Sequence, residues 1–60
     1  MNKTYEFFNS VQATRFARWH DANIGTEAEQ EGSVVTVFEI TPNECKKLDN
    51  IAYKLRAGKV

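Results

Sequence analysis

The chain has a single cysteine, Cys45, so no disulfide can form within it, and an unpaired thiol fits a reducing compartment. A cytoplasmic location is therefore expected. Glycine and proline are scarce: Gly25, Gly32, Gly58 and Pro42. None lies in a glycine-rich run, which excludes a phosphate-cradling loop. Neither charge is in excess, because eight basic residues balance eight acidic ones. Such a chain has no global field to draw it onto nucleic acid or an anionic membrane, and only local patches remain. No apolar run is long enough to span a bilayer. The opening Met1 to Glu6 lacks the apolar core of a signal peptide. Nor is there a repeat or a low-complexity tract. A chain of 60 residues buries only about 60% of its unfolded surface, and dimerisation is a common remedy.

Local order is written clearly in Thr41-Pro42-Asn43-Glu44. A threonine cap, a proline at the first helical position and a glutamate three residues after the cap form a capping box. Ser33 to Ile40 before it is β-branched and aromatic and reads as a strand. It alternates Val34, Thr36, Phe38 and Ile40 with Val35, Val37 and Glu39, apolar enough on both sides for a central position. The helix after it runs to about Ala57, with Gly58 as its stop. Cys45, Leu48, Ile51, Ala52 and Leu55 form its inward stripe.

Lys3 to Phe8 alternates Thr4, Glu6 and Phe8 with Tyr5 and Phe7, which is a strand period. Asn9-Ser10 offers a cap for a helix from Val11 to about Asn23. Ala13, Phe16, Ala17, His20 and Ile24 face inward on it, and Gly25 stops it. Thr26 to Glu31 reads either as an acidic loop or as a short edge strand. The strand is favoured, with Glu27, Glu29 and Glu31 outward, Ala28 and Gln30 inward, and a tight turn at Glu31-Gly32.

These elements make one small α+β domain over residues 1–60. Its order is β-α-β-β-α, a three-stranded sheet with two helices on one face. A right-handed crossover joins the first strand to the acidic one, and the hairpin inserts the valine-rich strand between them. The arrangement is similar in topology to a ferredoxin-like fold truncated by its last strand. That resemblance implies an uncovered edge on the first strand, where Tyr5, Phe7 and Phe8 would be exposed. The sequence leaves open which face of the valine-rich strand meets the helices. One register puts Val35 and Val37 on the open face, the other Phe38 and Ile40.

No motif names a reaction or a ligand. With one histidine and one cysteine there is no zinc-ligand spacing, and Asp21 projects about 100° from His20 on a helix. No metal or other cofactor is expected. A Cys45 nucleophile needs His20 within hydrogen-bond reach, yet Cys45 lies on the apolar stripe. Catalysis would need a site composed across a dimer, and no enzymatic activity is expected. Arg15, Arg18 and Trp19 are residue types that dominate binding hot spots, although Trp19 also fits as a cap on the core and the arginines as a solvated face.

The expected function is therefore binding of another protein by a small module that pairs with itself through the first strand. Tyr5, Phe7, Phe8, Val35 and Val37 would form the main surface, with Arg15, Arg18 and Trp19 as an accessory anchor. In type, the chain resembles the small accessory or inhibitor proteins that phages and mobile elements encode, which implies sequestration of a partner. The alternative is nucleic-acid binding through Arg15, Arg18, Trp19 and the lysine-rich last helix. No membrane association is expected.

Overall fold

The computed structural model describes residues 1–57. Five elements follow in order: β1 (Lys3–Glu6), α1 (Ser10–Asn23), β2 (Ala28–Glu31), β3 (Val34–Val37) and α2 (Pro42–Ala57). The sheet order is β1-β3-β2, with β3 antiparallel to both neighbours. This is the expected α+β arrangement, and the acidic segment is a strand. The expected stop at Gly58 lies outside the described residues.

Both helices begin at side-chain caps, and α1 ends at a glycine. Asn9, extended at φ −153°, accepts the Gln12 backbone N–H on Oδ1 at 2.9 Å. At the other end Ile24 and Gly25 both donate to the His20 carbonyl at 2.8 Å. Gly25 can do so because its φ is +81°, a left-handed value that costs glycine nothing. At α2 the capping box closes in both directions: Thr41 N–H donates to Glu44 Oε1 at 2.9 Å, and Glu44 N–H donates to Thr41 Oγ1 at 3.2 Å.

β3 ends earlier than its β-branched run implies. Glu39 has φ +56°, and its N–H is taken by the Asn2 side chain at 3.1 Å. This kink breaks the alternation and turns Ile40 into the core, where only 2% of it is exposed. The strand therefore gives way to a short corner before Thr41 rather than running straight into the helix. β1 likewise stops at Glu6 and does not extend to Phe8.

Phe16 stands at the centre of the core. Its ring lies 4.8 Å from that of Tyr5 and 4.9 Å from that of Phe7, both tilted, a favourable arrangement for aromatic pairs. Val35 and Val37 come from the sheet, and Leu48, Ala52 and Cys45 from α2. Ala17, Trp19, Ile24, Ile51 and Leu55 pack around the margin. Gln12 is a buried polar residue that periodicity does not reveal. Its Nε2 donates to the Leu55 carbonyl at 2.7 Å, tying α1 to the last turn of α2.

The register decides the question the sequence leaves open. Tyr5 stands opposite Val35, and Gln30 stands opposite Val35 from the other side. Tyr5, Phe7, Val35 and Val37 are all buried. The helices therefore cover the odd-numbered side of β3, contrary to the register that puts Val35 and Val37 on the open face. The open face carries Thr4 and Glu6, Val34 and Thr36, and Glu29 and Glu31, with Phe38 half-buried just past the end of β3.

Candidate functional site

Of the eight residues expected to bind a partner, four are core. Tyr5, Phe7, Val35 and Val37 are at most 6% exposed, so their side chains hold the domain together and offer nothing to a partner. The physical reason is supply: a sheet this small has to spend its large apolar side chains on its one covered face. Phe8 is 68% exposed and stands just before α1. Trp19 is half-buried against the core. Arg15 and Arg18 are exposed and flank one shallow groove with Ser10, Val11 and Thr14, which Trp19 does not line.

A different group of residues comes together along the free edge of β1. Lys3, Thr4 and Tyr5 meet Asp49, Ala52, Tyr53 and Arg56 of α2 in an open groove. Its polar groups are ordered. Tyr5 Oη donates to Asp49 Oδ1 at 2.6 Å, and Lys3 Nζ reaches the same oxygen at 3.0 Å. Accepting from Tyr5 and Lys3 holds the Asp49 carboxyl below its ordinary range. Burial, then the carboxylate beside it, pushes the Tyr5 phenol up. The hydrogen bond to Asp49 raises Lys3. At the other end Arg56 Nε donates to the Glu6 carbonyl at 2.7 Å, and the guanidinium sits 5.4 Å from the Phe7 ring centre.

The backbone of this edge faces outward in a defined way. Phe7 N–H donates to the Ser33 carbonyl at 2.8 Å. By alternation Lys3 and Tyr5 also point their backbone groups at β3, while Thr4 and Glu6 point theirs away from the sheet. Arg56 takes the Glu6 carbonyl. The Thr4 N–H and C=O remain at the rim, beside a Tyr53 ring that is 71% exposed. Asp49, Tyr53 and Arg56 are four and three residues apart, so the groove was present in the sequence as a helical stripe. A mostly charged stripe reads from sequence as the solvated side of a helix.

Net neutrality hides a separation of charge. The open sheet face bears Glu6, Glu29 and Glu31, while Arg15, Arg18, Lys46, Lys47, Lys54 and Arg56 all lie on the helices. A strand face with three carboxylates and inward-turned Tyr5 and Phe7 is a poor platform for stacked bases on a phosphate chain.

Cys45 and His20 have separate surroundings. The Cys45 sulfur lies 4.0 Å from Tyr5 Oη and within 4.0 Å of the Asp49 carboxylate. His20 is 1% exposed, and its Nε2 is 2.8 Å from Thr26 Oγ1. No hydrogen bond joins the two among the described residues. Nor do those residues hold a cluster of three or more His, Cys, Asp or Glu side chains suited to a metal ion. No helix among them is long and apolar enough to cross a membrane.

His20 makes stability depend on pH. Burial lowers its pKa from the ordinary 6.5, outweighing the opposite pull of Asp21 and Glu44. The unfolded chain thus takes up a proton that the native one resists, so stability is full above 6.5 and falls as pH drops through the folded value. The slope is at most about 1.4 kcal/mol per pH unit, that of one proton. Urea melts from pH 7 to 5 should show this decline, and a His20→Gln protein should lack it. Equal declines in both would remove His20 as the cause.

Compared with known proteins, the chain matches no family model, no curated protein and no solved structure.

Proposed function

We propose that this protein is a non-enzymatic protein-binding module that takes a strand of its partner onto the edge of β1. The observation that carries the reading is the outward-pointing Thr4 backbone beside an exposed Tyr53. An open strand edge templates pairing with another chain, and nearby side chains select which one. Lys3, Asp49 and Arg56 give that selection both signs of charge, and Tyr53 gives it apolar area. The homodimer expected from the sequence uses this same edge. A buried free thiol suits a cytoplasmic setting, and a module of this size would act as an accessory or inhibitor by sequestering its partner.

The rival reading, nucleic-acid binding, draws on Arg15 and Arg18, which are exposed on one groove and in no ion pair among the described residues. Tagged chain, used to capture partners from lysate with and without nuclease, separates the two. Thr4→Pro removes the outward N–H without costing a backbone hydrogen bond of the sheet, and with it only the exposed contact of Thr4 Oγ1 to Thr36 Oγ1 at 3.1 Å. Capture of a protein should survive nuclease and the Arg15→Glu, Arg18→Glu double change, yet be lost in Thr4→Pro with an unchanged circular dichroism spectrum. Loss with nuclease or with the arginines, and steep weakening by salt, would transfer the function to the α1 face.

A further inference from the structure

We infer that a second copy of this chain covers the β1 edge, with the two α2 helices antiparallel across a two-fold axis between the Tyr53 rings and beside Thr4. This rests on the reading of β1 as the binding edge and names its resting occupant. α2 runs alongside β1 in the same direction, because Asp49 meets Lys3 at one end and Arg56 meets Glu6 at the other. Asp49, Tyr53 and Arg56 are all exposed. Along the helix they read anion, aromatic, cation.

A two-fold interface requires a surface that complements itself. Reversing this stripe about Tyr53 sets Asp49 of each copy against Arg56 of the other and stacks Tyr53 on its counterpart. Arg56 spends only Nε on the Glu6 carbonyl, so its terminal nitrogens are available for a carboxylate. The same reversal lays β1 antiparallel to its copy. A register centred on Thr4 uses the outward Thr4 N–H and C=O and leaves the Glu6 carbonyl with Arg56. It also sets Glu6 opposite Asn2 of the other copy, so like charges do not meet. The product is one continuous six-stranded antiparallel sheet. A protein partner that adds a strand must then displace a copy.

Sedimentation equilibrium from about 1 to 500 µM tests this, since a dimer follows mass action. The wild-type chain should dimerise within that range. Tyr53→Lys should raise Kd at least about 30-fold, the loss of one hot spot, without changing the circular dichroism spectrum. Arg56→Glu and Asp49→Lys should each be monomeric alone and form a heterodimer when mixed, because the mixture restores both charge pairs. Should Asp49→Lys fail to fold, having lost Tyr5 and Lys3 as partners, Tyr53→Lys decides alone. A wild-type chain that stays monomeric, or a dimer indifferent to Tyr53→Lys, overturns the inference. A monomer that still captures a protein through Thr4 overturns only the second copy. A Tyr53-dependent dimer that captures nothing overturns only the proposed function.

Discussion

Phe16→Ala is expected to leave most of the chain unfolded at 25 °C. The side chain is fully buried and touches the Tyr5 and Phe7 rings. Truncating such a phenylalanine costs about 3–5 kcal/mol, because the cavity it leaves closes only in part. A domain of this length has only about 3–9 kcal/mol in all, at the usual stability per residue. The loss is therefore comparable to the whole. Circular dichroism with urea titration should show little or no native baseline for Phe16→Ala, against a cooperative transition for the wild-type chain. A midpoint close to that of the parent would mean that the Tyr5-Phe16-Phe7 stack is not the centre of the core.

The same substitution at two neighbouring positions should have opposite outcomes. Val35 is 0% exposed on the helix side of the central strand. Val35→Lys buries an ammonium with no partner at a cost of several kcal/mol and should abolish folding. Val34, one residue earlier, points to the open face and stands directly opposite Glu6 on one side and Glu31 on the other. Val34→Lys gains two cross-strand pairs, each worth about 0.2–1 kcal/mol, and loses some strand preference. It should stay within about 1 kcal/mol of the parent. Because strand side chains alternate with period two, a register slipped by one residue would reverse this pattern. Thermal melts of the two variants measure it directly. Tolerance of Val35→Lys together with collapse of Val34→Lys would reverse the assignment of faces.

Much of the architecture was legible in residue order because the signals were local. The capping box at Thr41, the cap at Asn9 and the left-handed stop at Gly25 each act within a few residues, and all three stand in the structure. Helical spacing named Phe16, Leu48 and Ala52 as inward for the same reason, and put His20 on the same stripe but at the rim of the core, where the structure buries it fully. The acidic strand was harder. Ala28 to Glu31 is exposed along its whole length, so it has little apolar alternation, and pairing with β3 is what makes it a strand. The early end of β3 was not legible, since the Glu39 kink depends on Asn2, far away in the chain.

The candidate site was legible only in part. Helical spacing put Arg15 and Arg18 opposite the apolar stripe of α1, and both are exposed. Tyr5, Phe7, Val35 and Val37 were placed on the wrong side of the inside-outside division. Alternation says which residues share a face but not which face is covered. The Asp49-Tyr53-Arg56 groove exists because Lys3, Tyr5 and Glu6 meet α2 across the fold.

Residue order by itself determined both helices and the strands β1 and β3, their sequence along the chain, the caps at Asn9 and Thr41, the stop at Gly25, and the lack of any nucleotide-loop or zinc motif. These are consequences of dihedral preference, short-range hydrogen bonding and periodicity, which need no distant partner. Tertiary structure alone decided which face of β3 is buried, where β3 ends, and which backbone groups lie bare along β1. Those outcomes depend on contacts between residues far apart in the chain, such as Tyr5 with Phe16 and Asp49, and Arg56 with Glu6.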